Sequence, residues 1–379
     1  MLFESMQKAV INSEGIRLAY IDSGPVPGDN YTTLVCIHGY QYSALSFARL
    51  LPKAAEHNLR VIALNRRDYA GSSPFSSNEL AAIDRGEPES QDEFFKKRGL
   101  EIAEFLVWVT EELGIPKARS TVSPGGKSQP KGGLCLLGWS LGTNTALAFL
   151  AHLSSYPSTV REKLQGYLRT LVLYDPPLST LGYPLPTEGV YSPFTDPEIP
   201  KSEMPAAFAR FITGYYSHPY YALGTTGSDD ITAAEKKFNL SVLQTKPLPP
   251  ASAERPASSD APGGAELLAT IDDAPCARSE KAFMSAAPHV LRALLSKSVV
   301  FESNEGEENS QFSNVDVRIL HGTDTLWGIV WGIWELEREL ERWDSEWRKR
   351  RDVSFTKMDG ANHFIHWDEP DRFLSFVSH

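Results

Sequence analysis

The chain has 379 residues, 41% of them hydrophobic and 22% charged, and carries a formal net charge of −11. Those values suit a soluble globular protein with one large core, or one domain with a sizeable insertion. The acidic balance argues against nucleic-acid binding, which wants a basic face, and no apolar run is long enough to span a bilayer. Met1–Gly15 carries charged and polar residues throughout its length and lacks the apolar core of a secretory leader, so a soluble cytoplasmic protein is the expectation. Cys36, Cys135 and Cys276 are odd in number and lack metal-ligand spacing, and the first two sit in apolar strand candidates as small buried hydrophobes.

In chain order, Ile16–Asp22 alternates loosely and stops at Ser23-Gly24-Pro25, which reads as strand and turn. Thr33–His38 is a buried strand ending at Gly39, and Arg60–Asn65 is the next, followed by a polar loop to Ser73. Gln91–Leu113 has helical spacing in Phe94, Phe95, Ile102, Phe105, Leu106 and Val109, and stops at Gly114-Ile115-Pro116. Lys117–Lys131, rich in Ser, Pro and Gly, reads as an exposed loop. Leu134–Leu137 is a short buried strand, Gly138-Trp139-Ser140-Leu141-Gly142 a sharp turn, and the stretch to Phe149 a helix. Leu168–Tyr174 is another apolar run. Buried runs alternating with helices describe a mostly parallel sheet covered on both faces.

From Pro176 to about Phe312 the alternation breaks down. Leu178–Pro205 is crowded with prolines and aromatics, Ala206–Tyr221 reads as mostly helix, and Pro247–Gly264 as a flexible surface segment. Glu266–Ile271 and Lys281–Val300 look helical, the latter broken at Pro288. An insertion of this length between core strands suggests a cap over the strand ends. The expected division is therefore 1–176 for the first part of the core, 177–312 for the cap and 313–379 for the rest of the core. Val315–Leu320 resumes the sheet, and His321-Gly322-Thr323-Asp324 follows it. Trp331–Arg351 reads as a long amphipathic helix closed by the basic run Arg348–Arg351, where cations suit the negative dipole end. Val353–Met358 is the last strand, and a short helix starts at Pro370.

The chemistry centres on Gly138–Gly142. A serine between strand and helix needs unusual backbone angles, and flanking glycines give the clearance. The helix then aims free N–H groups and its positive end at the site. The amide of Leu141 is placed to hold an oxyanion. Gly39 lets the backbone turn after its strand, so the amide of Tyr40 is the second candidate donor, while His38 reads as a turn-stabilising residue. The loop Asn65–Ser73 reads as braced by its own ion pairs.

A serine needs a base, and the imidazole of His363 suits the task near neutral pH. Asp324 is the expected acid that orients it. Ser140, Asp324 and His363 each follow a core strand, and in a parallel sheet those ends converge on one edge. Asp175, after Leu171–Tyr174, is the rival acid, ranked second because Pro176-Pro177 suits a structural turn. His366 is the rival base, without the glycine-led loop that precedes His363.

These segments resemble the α/β-hydrolase superfamily over about Ile16–Tyr174 and from Val315 to the end, with the middle as that family's variable lid. The carriers are His38-Gly39-Tyr40, Gly71-Ser72-Ser73, Gly138–Gly142, Gly322-Thr323-Asp324 and His363–Pro370. Asn362 stands where many members have glycine, and Ala70 precedes Gly71, both expected to be harmless. The resemblance implies an α/β-hydrolase fold and a serine hydrolase that cleaves a carboxylic ester or lactone through an acyl-enzyme. No cofactor or metal is expected, and the aromatic residues of the cap point to an apolar, medium-sized small-molecule substrate. Ser140 in place of an aspartate disfavours epoxide and haloalkane chemistry. Thioester, amide and carbon–carbon cleavage stay open, as do a lyase or isomerase with His363 as base, and a receptor-like ligand-binding protein.

Overall fold

The computed structural model describes residues 6–84, 87–122, 128–222, 237–249, 254–301 and 312–378. Parts of the leading segment, of the Lys117–Lys131 loop, of the Pro247–Gly264 stretch and of the 177–312 insertion lie outside the described residues. The strands are β1 (Gln7–Val10), β2 (Arg17–Asp22), β3 (Thr32–Ile37), β4 (Leu59–Leu64), β5 (Arg119–Val122), β6 (Ser128–Lys131), β7 (Leu134–Trp139), β8 (Leu168–Tyr174), β9 (Asp316–Gly322) and β10 (Val353–Met358). Eight of them form one sheet in the order β1-β2-β4-β3-β7-β8-β9-β10. From β4 to β10 every pairing is parallel, while β1 and β2 close one edge antiparallel.

The central strands are apolar at successive positions because both faces are covered. Leu34, Cys36, Val61, Ala63, Leu137 and Val172 face one layer, with Phe47 and Leu50 of the Ala44–His57 run of 3-10 turns and Phe373 of the Pro370–Val377 helix. Val35, Ile37, Ile62, Leu64, Leu136 and Leu173 face the other, against the Pro88–Glu112, Gly142–Ala151 and Pro288–Val299 helices. Each fully buried Leu or Phe contributes about 1.5–3 kcal/mol relative to exposure. Cys36 and Cys135 are buried in β3 and β7, and burial pushes both thiols up, Cys135 to about 11. Among the described residues, no helix is long and apolar enough to cross a membrane.

Some elements differ from the reading of the chain. β1 is an added edge strand, its pairing supplied by β2 rather than by any strong pattern of its own. The Lys117–Lys131 loop contains the antiparallel pair β5–β6. The expected helix over Ala206–Tyr221 stops at Thr213, ahead of Gly214, and resumes only at Pro219–Ala222. The long helix spans Trp327–Ser345, and Trp347 at φ +55 turns the chain away. The basic run therefore lies beyond the helix. Its Arg351 is buried, donates to the Ser298 carbonyl oxygen, and is pushed down to about 10 by burial.

Candidate active site

β7 lies mid-sheet and delivers Ser140 at its C-terminal end. Ser140 has φ +54, a left-handed conformation that costs a non-glycine residue about 1–2 kcal/mol. Neighbouring bonds hold it there: its N–H donates to the Tyr174 carbonyl at 3.0 Å, and its own carbonyl accepts from Thr143 N–H at 3.0 Å. The close approaches explain the glycines. A Cβ on Gly138 would lie 2.7 Å from Ala146 Cβ and 2.9 Å from the Gly142 carbonyl oxygen, and one on Gly142 would lie 2.6 Å from the carbonyl oxygens of Ile37 and His38. Gly39 abuts the serine itself, with a would-be Cβ 2.8 Å from Ser140 Cβ and 3.3 Å from its Oγ.

The carboxylate that pairs with His363 is Asp175, not the expected Asp324. His363 Nδ1–H donates to Asp175 Oδ2 at 2.9 Å, and both residues are buried. Asp324 is instead half-buried, its Oδ1 accepting from Thr323 Oγ1 at 2.9 Å, and burial raises its carboxyl above the usual range. The reason lies in the loop after β9. Asp175 extends β8 by one residue, its N–H donating to the Leu320 carbonyl, and turns at φ +44. The β9 loop then folds over it, Gly322 N–H donating to Oδ1 at 2.9 Å and Thr325 Oγ1 to Oδ2 at 2.7 Å. A buried carboxylate needs such partners. The same wrap leaves Asp324 on the outside, with its N–H on the Ala361 carbonyl.

His363 follows β10 on a loop fixed from several sides. Its carbonyl oxygen accepts from Trp139 Nε1 at 3.1 Å and from the Tyr174 hydroxyl at 3.0 Å. The preceding Asn362 is fully buried and donates from Nδ2 to the Thr213 carbonyl and to Ser258 Oγ. Its side chain thus ties the histidine loop to residues between β8 and β9, a function that glycine lacks. Ser258, in the Pro247–Gly264 stretch, is accordingly buried rather than a free surface residue. His366 is set apart from Ser140: its Nδ1–H donates to the Tyr174 hydroxyl at 3.1 Å, and burial holds it well below the usual histidine range.

Ser140 and His363 line one cavity of about 380 Å³, together with Tyr40, Trp139 and Leu141. Most of its remaining wall is apolar, including Leu185, Phe208, Ile212, Phe283, Met284 and Leu291 from the residues between β8 and β9. Among the described residues, the amides of Tyr40 and Leu141 find no protein acceptor. With Nδ1–H spent on Asp175, His363 keeps the Nε2 lone pair available to accept a proton. His38 has the turn role expected of it. It accepts the Arg66 N–H on Nε2 at 3.0 Å and donates from Nδ1 to the Gly39 carbonyl at 2.9 Å, and burial keeps it well below its ordinary pKa.

Sequence reasoning ranked Asp175 second and missed Trp139, Tyr174 and Asn362 as supports of the histidine. A signal for Asp175 was present: a carboxylate that directly follows four apolar or aromatic residues is buried with its strand, and a buried carboxylate is paired. The bonds to the His363 carbonyl join strands far apart in the chain, and no local spacing announces them.

A family model described as the alpha/beta hydrolase family matches residues 34–376. Solved structures similar to the chain include epoxide hydrolase A from Mycobacterium thermoresistibile, at 16% identity, with 99% of this chain and 97% of that one covered and a TM-score of 0.45. Bromoperoxidase from Bacillus anthracis matches at 14% identity, 98% coverage of both chains and a TM-score of 0.43. A membrane phospholipase A described as a bacterial virulence factor matches at 16% identity, with 99% and 85% covered and a TM-score of 0.48. No curated protein sequence matches. With the model spanning nearly the whole chain over an eight-stranded, mostly parallel sheet, this protein belongs to the alpha/beta hydrolase family.

Proposed function

We propose that the protein is a serine hydrolase that cleaves a carboxylic ester or lactone of an apolar, medium-sized substrate. The observation that carries this reading is the set Ser140, His363 and Asp175: a serine at positive φ, and a histidine oriented by a buried aspartate, lining one mostly apolar cavity. Ser140 Oγ attacks the substrate carbonyl carbon while His363 Nε2 takes its proton. Asp175 keeps the proton-accepting tautomer and stabilises the imidazolium. The amides of Tyr40 and Leu141 receive the negative charge that forms on the carbonyl oxygen. Collapse releases the alcohol, which takes the proton from His363 and leaves an ester on Ser140. Water, deprotonated by His363, then attacks that acyl group, and the acid departs as Ser140 regains its proton.

In this reading residues 177–312 act as a cap that supplies the apolar wall and so selects the substrate by shape. Leu185, Phe208 and Met284 on the cavity wall support it. The test is labelling by a fluorophosphonate, followed by mass spectrometry of the intact chain and of its peptides. Wild type should gain one adduct on Ser140, and Ser140→Ala none. Folded wild type that neither labels nor hydrolyses short p-nitrophenyl esters contradicts the proposal.

A further inference from the structure

We propose that Arg66 is a positioning residue for the oxyanion donor at Tyr40, acting through the carbonyl of Gly39. This rests on the hydrolase reading of the Ser140 site. A trans peptide is planar, with its C=O and N–H pointing in opposite directions. The Gly39 carbonyl and the Tyr40 N–H belong to one such unit, so whatever grips the carbonyl aims the amide. Glycine at position 39 is demanded by the contact with Ser140, where a Cβ would be 2.8 Å from the serine Cβ. That same glycine leaves the peptide free to rotate. An oxyanion donor is useful only when preorganised, so the rotation has to be stopped from outside.

Arg66 and His38 supply the grip. Arg66 Nη2 donates to the Gly39 carbonyl oxygen at 2.9 Å, and His38 Nδ1 to the same oxygen at 2.9 Å. The two are coupled, because the Arg66 backbone N–H occupies His38 Nε2 and so fixes the tautomer that leaves Nδ1 as donor. Arg66 is in turn held by Glu280, whose Oε2 accepts from Nη2 at 2.8 Å, with both side chains almost completely buried. The next peptide is gripped from the same loop, Gln41 N–H donating to the Tyr69 hydroxyl at 3.0 Å.

Glu280 comes from the residues between β8 and β9, and that stretch also grips the Tyr40 loop directly. Tyr42 and Ile271 form an antiparallel bridge, Asp272 N–H donates to the Gln41 carbonyl, and Ser43 N–H donates to the Thr270 carbonyl. The arginine therefore joins the residues between β8 and β9 to the aim of one amide.

The experiment compares wild type with the double substitution Arg66→Met, Glu280→Met, which removes both buried charges together and leaves apolar side chains of similar length. Turnover of a p-nitrophenyl ester and inhibition by a trifluoromethyl ketone, which forms a tetrahedral oxyanion on the serine, are measured side by side. The expected result is a kcat lower by about tenfold to hundredfold, a matching loss of ketone affinity and an unchanged KM. Wild-type kcat and ketone affinity in the folded double variant overturn the proposal, as does a loss confined to KM. Should the double variant not fold, Arg66→Lys, which keeps the charge opposite Glu280, gives the same reading: a fall in kcat and ketone affinity at constant KM supports the role, and wild-type values of both overturn it. Ser140→Ala is the control that separates the two claims. Wild-type protein with no Ser140-dependent turnover overturns the hydrolase reading itself and the role of Arg66 with it.

Discussion

Trp139 and Tyr174 converge on one atom: the indole N–H at 3.1 Å and the phenol O–H at 3.0 Å both donate to the carbonyl oxygen of His363. Trp139 immediately precedes Ser140, and Tyr174 immediately precedes Asp175. The loop carrying the histidine is thus fastened to the same two strand ends that carry the serine and the aspartate. Both aromatic rings are buried, so neither bond competes with water.

Tyr174→Phe tests that fastening. The variant removes one donor to His363 and leaves the buried His366 Nδ1–H without its acceptor. A stability loss of about 1–3 kcal/mol by urea denaturation is expected, with a lower kcat at unchanged KM. Wild-type stability and kcat in the variant would show that the bond contributes nothing.

Ser140→Gly and Ser140→Ala separate strain from chemistry. Both remove the hydroxyl, but only glycine tolerates φ +54 without penalty. Ser140→Gly should be the more stable of the two by about 1 kcal/mol in denaturant titrations. Equal midpoints would mean that the turn holds no such strain.

Gly142→Ala should disrupt the turn from behind. The added Cβ would lie 2.6 Å from two carbonyl oxygens of the β3 end, and backbone oxygens have little room to withdraw. A loss of about 1–3 kcal/mol and reduced labelling of Ser140 are expected. A variant with wild-type urea midpoint and labelling rate would refute the close approach.

Much of the fold was legible because β3, β4, β7 and β8 are apolar at successive positions, a pattern that only a sheet covered on both faces demands. The serine turn was legible because its steric needs are local and written in glycine. The acid was not. Asp175 and Asp324 both follow core strands, and the choice between them depends on which way the β9 loop folds, through Gly322 N–H and Thr325 Oγ1. Those are tertiary hydrogen bonds between residues some 150 positions apart, as the Thr325–Asp175 separation records. The Arg66–Glu280 pair escaped for the same reason, its partners lying 214 positions apart.

Acid should destabilise the protein before it titrates the carboxylates. Burial pushes His218 down to about 4 and His321 to about 4, from an ordinary 6.5. His218 is held neutral by accepting Gln244 N–H on Nδ1 and donating from Nε2 to the Thr325 carbonyl. Between those values the unfolded chain binds protons that the folded chain refuses, so stability is full above pH 6.5 and falls as pH drops. Each histidine contributes a loss of about 1.4 kcal/mol per pH unit in that window. Urea midpoints measured from pH 7 to about pH 5 should decline, and His218→Gln should flatten the slope. A slope unchanged in that variant would contradict the assignment.

The most direct test of the proposed site compares Asp175→Asn with Asp324→Asn in steady-state ester hydrolysis, with folding checked by circular dichroism. Asn at 175 keeps the shape but cannot stabilise the imidazolium or enforce its tautomer, so kcat should fall by about three to four orders of magnitude, while Asp324→Asn stays close to wild type. The reverse order, with Asp324→Asn inactive and Asp175→Asn turning over normally, would contradict the account.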